Sequence, residues 1–197
     1  MITKFLAAFV LLLGLSTVPL PGNAMVFTNN PPDKLGPLNG GTVSYTVTTP
    51  GASSSPGNAT LTFDLIGYDS VDGANSFKDT FKLSVNGTLL FQGGFDMGGG
   101  GTSFVDFADP GVTVLSTVSN GFFAGGLTQF SIAHTLLSGS NTYLFDYGTM
   151  QGLGDEGWGL RNLRISADIA PVPLPGALIL FGAGLAGLGF LKRKSWR

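Results

Sequence analysis

The groups in this sequence best able to do chemistry are carboxylates. Asp69, Asp72 and Asp79 fall within one loop-rich stretch, and Asp155-Glu156 stand just before a strand-like run near the C-terminal end. Hard oxygen ligands carried on loops suit Ca2+. The series Asp69-Ser70-Val71-Asp72-Gly73 lacks the repeated acids and closing Glu of an EF-hand loop, so that site is excluded. Ordinary solvated loop acids are the alternative, and spacing alone leaves both open. His134 is the only histidine, in phase with Phe130, Ile132 and Leu136 on a predicted strand, so a half-buried place on the apolar face is expected. A serine triad would need that histidine beside a nucleophile and an orienting acid, and no serine stands in a nucleophile-elbow sequence. The absence of cysteine excludes thiol catalysis and Cys-based zinc sites. These residues assemble no catalyst, and a non-enzymatic chain is expected. Trp158 has two readings, a platform for a sugar ring or a core side chain; flanking Gly157 and Gly159 and the run into Leu160 favour the core.

The elements that must position these groups are short strands. Period-two alternation marks strands at Thr42–Thr49, Ala59–Tyr68, Asp79–Val85, Thr88–Gln92, Thr102–Phe107, Val112–Val118, Thr128–Leu137, Thr142–Tyr147 and Trp158–Ile169. So many short strands in one stretch predict an all-β sandwich. Asn86-Gly87 lies between Phe81-Lys82-Leu83-Ser84-Val85 and Thr88-Leu89-Leu90-Phe91, and both residues tolerate the positive φ of a type I′ turn, which predicts a tight hairpin. The polar stretch from Thr48 to Asn58 reads as a loop within the domain. Gly98–Gly101 has no following Lys-Ser/Thr and opens no helix, so a flexible strand connection is expected instead of a phosphate cradle. Asn58-Ala59-Thr60 and Asn86-Gly87-Thr88 fit the glycosylation pattern but read as turns.

The two ends differ from the middle. Lys4, the apolar stretch Phe5–Leu15 and Gly22-Asn23-Ala24 have the layout of a secretory signal peptide over residues 1–24, with the mature chain starting at Met25. Retention as a signal anchor is the alternative, but the apolar stretch is shorter than a spanning helix needs. At the other end Val172-Pro173-Leu174-Pro175 leads into an uncharged run, Gly176–Leu191, closed by Lys192, Arg193 and Lys194. Sixteen residues give a helix of about 24 Å, somewhat short of the about 30 Å hydrocarbon core. Snorkelling and local thinning close the gap. A transmembrane helix over 176–191 is expected, and its basic tail, 192–197, stays cytoplasmic. All twelve acidic residues lie between Asp33 and Asp168, against five basic ones there (Lys34, Lys78, Lys82, Arg161 and Arg164), so the exported domain, 25–170, carries about −7 while the tail carries +4. An acidic domain repels phosphate backbones, so nucleic acid is excluded as a partner.

In its order of parts, the C-terminal segment resembles the sorting signal of bacterial PEP-CTERM proteins: a short Pro motif, an apolar helix and a basic end. The resemblance covers residues 171–197, with Leu174 in the position that gives the family its Glu, as in the VPLP variant. It implies export by the Sec translocon, recognition of the motif Val172-Pro173-Leu174-Pro175 by an exosortase-type membrane peptidase, processing near Pro173–Pro175, and transfer to the cell envelope or extracellular polysaccharide matrix. A plain single-pass tail anchor is the alternative.

A second resemblance rests on Asp79-Thr80-Phe81-Lys82-Leu83-Ser84-Val85-Asn86-Gly87 and Asp155-Glu156-Gly157-Trp158-Gly159-Leu160-Arg161-Asn162-Leu163-Arg164-Ile165. Together they look like the core of jelly-roll domains common among PEP-CTERM proteins. This implies an antiparallel jelly-roll β-sandwich, an architecture shared with lectins, with Asp155 and Glu156 as the foremost candidates for a Ca2+ site and Trp158 as a candidate ligand contact. Arg161 departs from that pattern, which usually has Asp there, and a fixed cation close to Ca2+ would be repelled. The expected role is a structural or adhesive surface domain. The alternative is a calcium-assisted carbohydrate-binding module.

Overall fold

The computed structural model describes residues 34–49 and 57–169, the backbone of 23–27, and residues 181, 182, 184 and 185. Most of the two ends therefore lies outside the described residues. This applies to the signal peptide apart from positions 23 and 24, the motif Val172–Pro175, the basic residues Lys192, Arg193 and Lys194, and most of the expected 176–191 helix. Phe181, Gly182, Gly184 and Leu185 are helical, and among the described residues no helix is long and apolar enough to cross a membrane.

Gly22–Ala170 forms one compact unit. Its strands, in chain order, are β1 (Asn23–Phe27), β2 (Lys34–Leu38), β3 (Thr42–Thr48), β4 (Gly57–Asp69), β5 (Val71–Asp72), β6 (Phe81–Val85), β7 (Thr88–Gly94), β8 (Gly98–Gly100), β9 (Phe104–Ala108), β10 (Val112–Ser119), β11 (Gly126–Leu136), β12 (Ser140–Asp146) and β13 (Glu156–Ile169). One antiparallel sheet runs β1-β13-β4-β11-β10, with β2 also on β13; a second runs β3-β12-β6-β7-β9; β5 and β8 make a short parallel pair. All nine predicted strands are present, with ends displaced by one or two residues. Asn86 and Gly87 hold φ of 53° and 79° between β6 and β7, as the type I′ turn requires.

The glycine run departs from expectation. Gly98–Gly100 is not a loose connection but β8, paired with β5. Gly98 takes a φ of 109°, and a Cβ there would strike the Asp69 carbonyl. Glycine serves here because two backbones approach too closely for any side chain.

The sheets meet through aromatic rings. Phe63 (β4) stacks on Phe130 (β11) at 4.8 Å, and the edge of Phe145 (β12) meets Phe63 at 5.1 Å. Phe81 (β6) lies at 5.4–6.4 Å from Tyr147, Phe130, Phe63, Phe91 and Trp158. With no disulfide available, this layer must hold the two sheets together, each buried ring contributing about 1.5–3 kcal/mol. His134 sits at its margin, half-buried, with Nε2 2.8 Å from the hydroxyl of Tyr143 on the opposite sheet. Burial lowers the imidazole pKa.

Phe81→Ala should therefore destabilise the protein by about 3–5 kcal/mol in denaturant unfolding. Phe107→Ala, on the half-exposed edge strand β9, should cost no more than about 0.5 kcal/mol. Equal costs for the two would contradict this division of the fold.

Candidate metal centre

Three carboxylates converge where β4 ends and β13 begins. Glu156 opens β13 opposite Asp69, and the strand period that turns Trp158 and Leu160 into the core turns Glu156 the same way. Its side chain is fully buried. Asp72 closes β5, and Asp79 stands two residues before β6; both are about 95% buried. One carboxylate oxygen from each residue lies within 4.8 Å of the others.

Local hydrogen bonds set the geometry. The Ser70 amide and hydroxyl both donate to the Asp155 carbonyl, at 3.1 and 2.9 Å, joining the turn after β4 to the residue before β13. The Asp72 amide donates to Asp79 Oδ2 at 2.8 Å, Asn75 Nδ2 donates to Asp72 Oδ1, and the Gln151 amide donates to Glu156 Oε1. Glu156 Oε2 is buried without a hydrogen-bond partner, as is the hydroxyl of Tyr147.

No cation balances these acids among the described residues. The two ion pairs found there, Lys78–Asp106 and Arg161–Asp64, lie elsewhere. Burial is the main reason that the Asp79 carboxyl is pushed up to about 7; the Asp72 amide opposes it, and the hydrogen bond that a protonated Asp79 makes with Glu156, followed by the Glu156 and Asp72 charges, adds to it. Asp72 is raised by burial, helped by the charges of Glu156, Asp155 and Asp96 and opposed by Asn75. The Tyr147 phenol is raised by burial and then by Asp79 and Glu156.

Of the sequence candidates, the structure gathers Asp72, Asp79 and Glu156. Asp155, one position out of phase, stays partly exposed and accepts a bond from Ser70 Oγ at 3.1 Å, so the expected Asp155–Glu156 pair is divided. Asp69 is exposed. Trp158 cannot serve as a sugar platform: it is fully buried, and its indole nitrogen donates to the Gly40 carbonyl at 2.9 Å. Arg161 raises no conflict with a cation, because alternation places it on the opposite face of the sheet from Glu156. There Nε and Nη2 reach Asp64 Oδ2 at 3.2 and 3.1 Å, with Asn162 on the same oxygen and Gln129 on Oδ1. Tyr147 was missed by sequence reasoning; its place one residue after β12 and its aromatic character gave only a core signal.

A cleft of about 350 Å³ adjoins the carboxylates, lined by Asp72 and Asp155, by Asn75 and Gln151, and by the aromatic rings of Phe77, Phe122 and Phe123. Those rings are 47–78% exposed. Phe123 is held at a φ of 57°, its amide bonded to the Gly98 carbonyl, so β8 also positions this rim.

Beyond the sandwich, residues 171–194 match the family model of the PEP-CTERM protein-sorting motif. The chain carries a PEP-CTERM sorting signal. That signal implies recognition by an exosortase-type system and an exported, envelope-associated protein. The match lies wholly outside the compact unit of strands. No curated protein and no solved structure matches the chain significantly.

The raised Asp79 carboxyl has a stability consequence. Its folded pKa lies above its unfolded value of 3.8, so the contribution is complete below about pH 4 and is lost as pH rises through about 7. In chelator, the protein should lose stability across this window, and Asp79→Asn should flatten the loss. Thermal melts of both forms from pH 4 to 8 check this; parallel profiles would contradict it.

Proposed function

We propose that this protein is a non-enzymatic structural or adhesive component of the cell surface or extracellular matrix. The Sec route delivers it, a C-terminal helix over 176–191 holds it in the membrane, and an exosortase-type peptidase trims it near Pro173–Pro175. The match of residues 171–194 to the sorting motif supports the export and sorting part of this reading. The antiparallel sandwich is read as a jelly roll. Its structural role is supported by exposed apolar side chains on one edge strand of each main sheet, Val105 and Phe107 on β9 and Leu115 and Val118 on β10, since such edges favour association with other surfaces.

Deleting a candidate exosortase should move the protein from the outer envelope and matrix fractions into the inner-membrane fraction, and replacing Val172–Pro175 with alanines should do the same. An unchanged distribution in both strains would contradict the sorting reading.

The aromatic-rimmed cleft favours a second reading, a cation-assisted carbohydrate-binding module. Exposed rings beside carboxylates and amides suit a sugar, whose apolar face stacks while its hydroxyls hydrogen-bond. Phe122→Ala should then weaken retention by the cell's own matrix polysaccharide in affinity electrophoresis by about tenfold, equivalent to about 1.4 kcal/mol. Absence of retention in the unaltered protein would remove this reading.

A further inference from the structure

We propose that Asp72, Asp79 and Glu156 hold a hard divalent cation of the Ca2+ class, which clamps β5 and the segment before β6 to the start of β13. The site goes beyond the sorting reading and does not depend on a glycan in the cleft. The acids come from separate parts of the chain, yet backbone amides orient two of them: Asp72 fixes one oxygen of Asp79, and Gln151 fixes one oxygen of Glu156. The other Glu156 oxygen is left buried and unpartnered beside them. An ionised carboxylate oxygen in that position is costly unless something positive or donating meets it.

A second group points the same way. The Tyr147 hydroxyl is also buried without a partner, and it lies within the field of both Asp79 and Glu156. Among the described residues, two of the three buried side-chain polar atoms without a partner thus belong to this group, the third being the Tyr68 hydroxyl, and neither ion pair reaches them. Ligand atoms on opposite sides of Ca2+, at about 2.3–2.6 Å each, stand about 4.6–5.2 Å apart, which suits a set lying within 4.8 Å. Three carboxylates supply part of the six to eight oxygens that Ca2+ takes. Asp72 also lines the cleft, which gives the ion an entry path and gives water a route to the remaining positions. The competing account of the same geometry is a proton shared between carboxyls.

The test uses the exported protein purified without added glycan, stripped with chelator and titrated with CaCl2. Calorimetry should show one Ca2+ per chain, and the melting temperature should rise by roughly 5–10 °C at a hundredfold excess over Kd. Asp79→Asn and Glu156→Gln should each abolish the rise. In chelator both should melt at or above the unaltered protein, because each removes one of three repelling charges, so a lost response cannot be mistaken for lost folding. Asp72→Asn, at the cleft rim, should weaken the response and provides a third variant if either buried substitution fails to fold. A melting temperature indifferent to both Ca2+ and chelator overturns the site and favours the shared proton, as does an undiminished response in the variants. Glycan retention measured separately leaves the second reading to stand or fall by itself.

Discussion

Along Glu156–Ala167, β13 runs antiparallel to β4, with β1 and β2 on its other side. The register of that ladder fixes which residues face inward. It sends Trp158 and Leu160 into the aromatic layer and aligns Leu61 and Leu65 of β4 with the same face. A slip of one residue would reverse every one of these assignments. The bulge between Arg161 and Arg164 absorbs a mismatch, and Asn162, at a φ of 55° there, reaches Asp64. An exported chain without cysteine has no covalent means of holding its register. It relies on the ring layer between the sheets and, on the outer face, on the set of donors gathered around Asp64.

The same register creates the least comfortable feature of the domain. Placing Glu156 in phase with Trp158 drives a carboxyl into the interior next to Asp72 and Asp79, where burial and mutual repulsion work against ionisation. The close pairing of β5 with β8 brings Asp72 in and at the same time positions the Phe123 rim of the cleft. A proton or a cation resolves the conflict, and which of them does so decides whether this end of the sandwich responds to acidity or to metal. Arg161 does not take part, because it spends its charge on Asp64 across the sheet.

Much of the fold was legible because a half-buried strand has a period of two. Phe81, Leu83 and Val85 alternate with polar residues, and Asn86-Gly87 names its own turn. Strands β1, β2, β5 and β8 were not legible: Lys34–Leu38 contains a Gly-Pro pair, and a run of glycines has no hydrophobic period. Each is a strand only because a neighbour offers it a ladder. The carboxylates were visible as residues but not as a group, since Asp72, Asp79 and Glu156 come together only through the β4–β13 register. The pairing of Asp155 with Glu156 failed for the same physical reason, as adjacent strand residues face opposite ways. The sorting signal was the most legible feature of all, because its parts are read in linear order and need no tertiary structure.

The signal and the sandwich are therefore distinct in kind: one is an address in the sequence, the other an acidic fold with a carboxylate-lined end. Their separation is the central claim, and the intact mass of the protein recovered from the cell surface tests it most directly. The account predicts a chain that starts at Met25 and ends near Pro173–Pro175, keeping the sandwich and losing the basic tail. A surface protein that uniformly retains Trp196-Arg197 would contradict it.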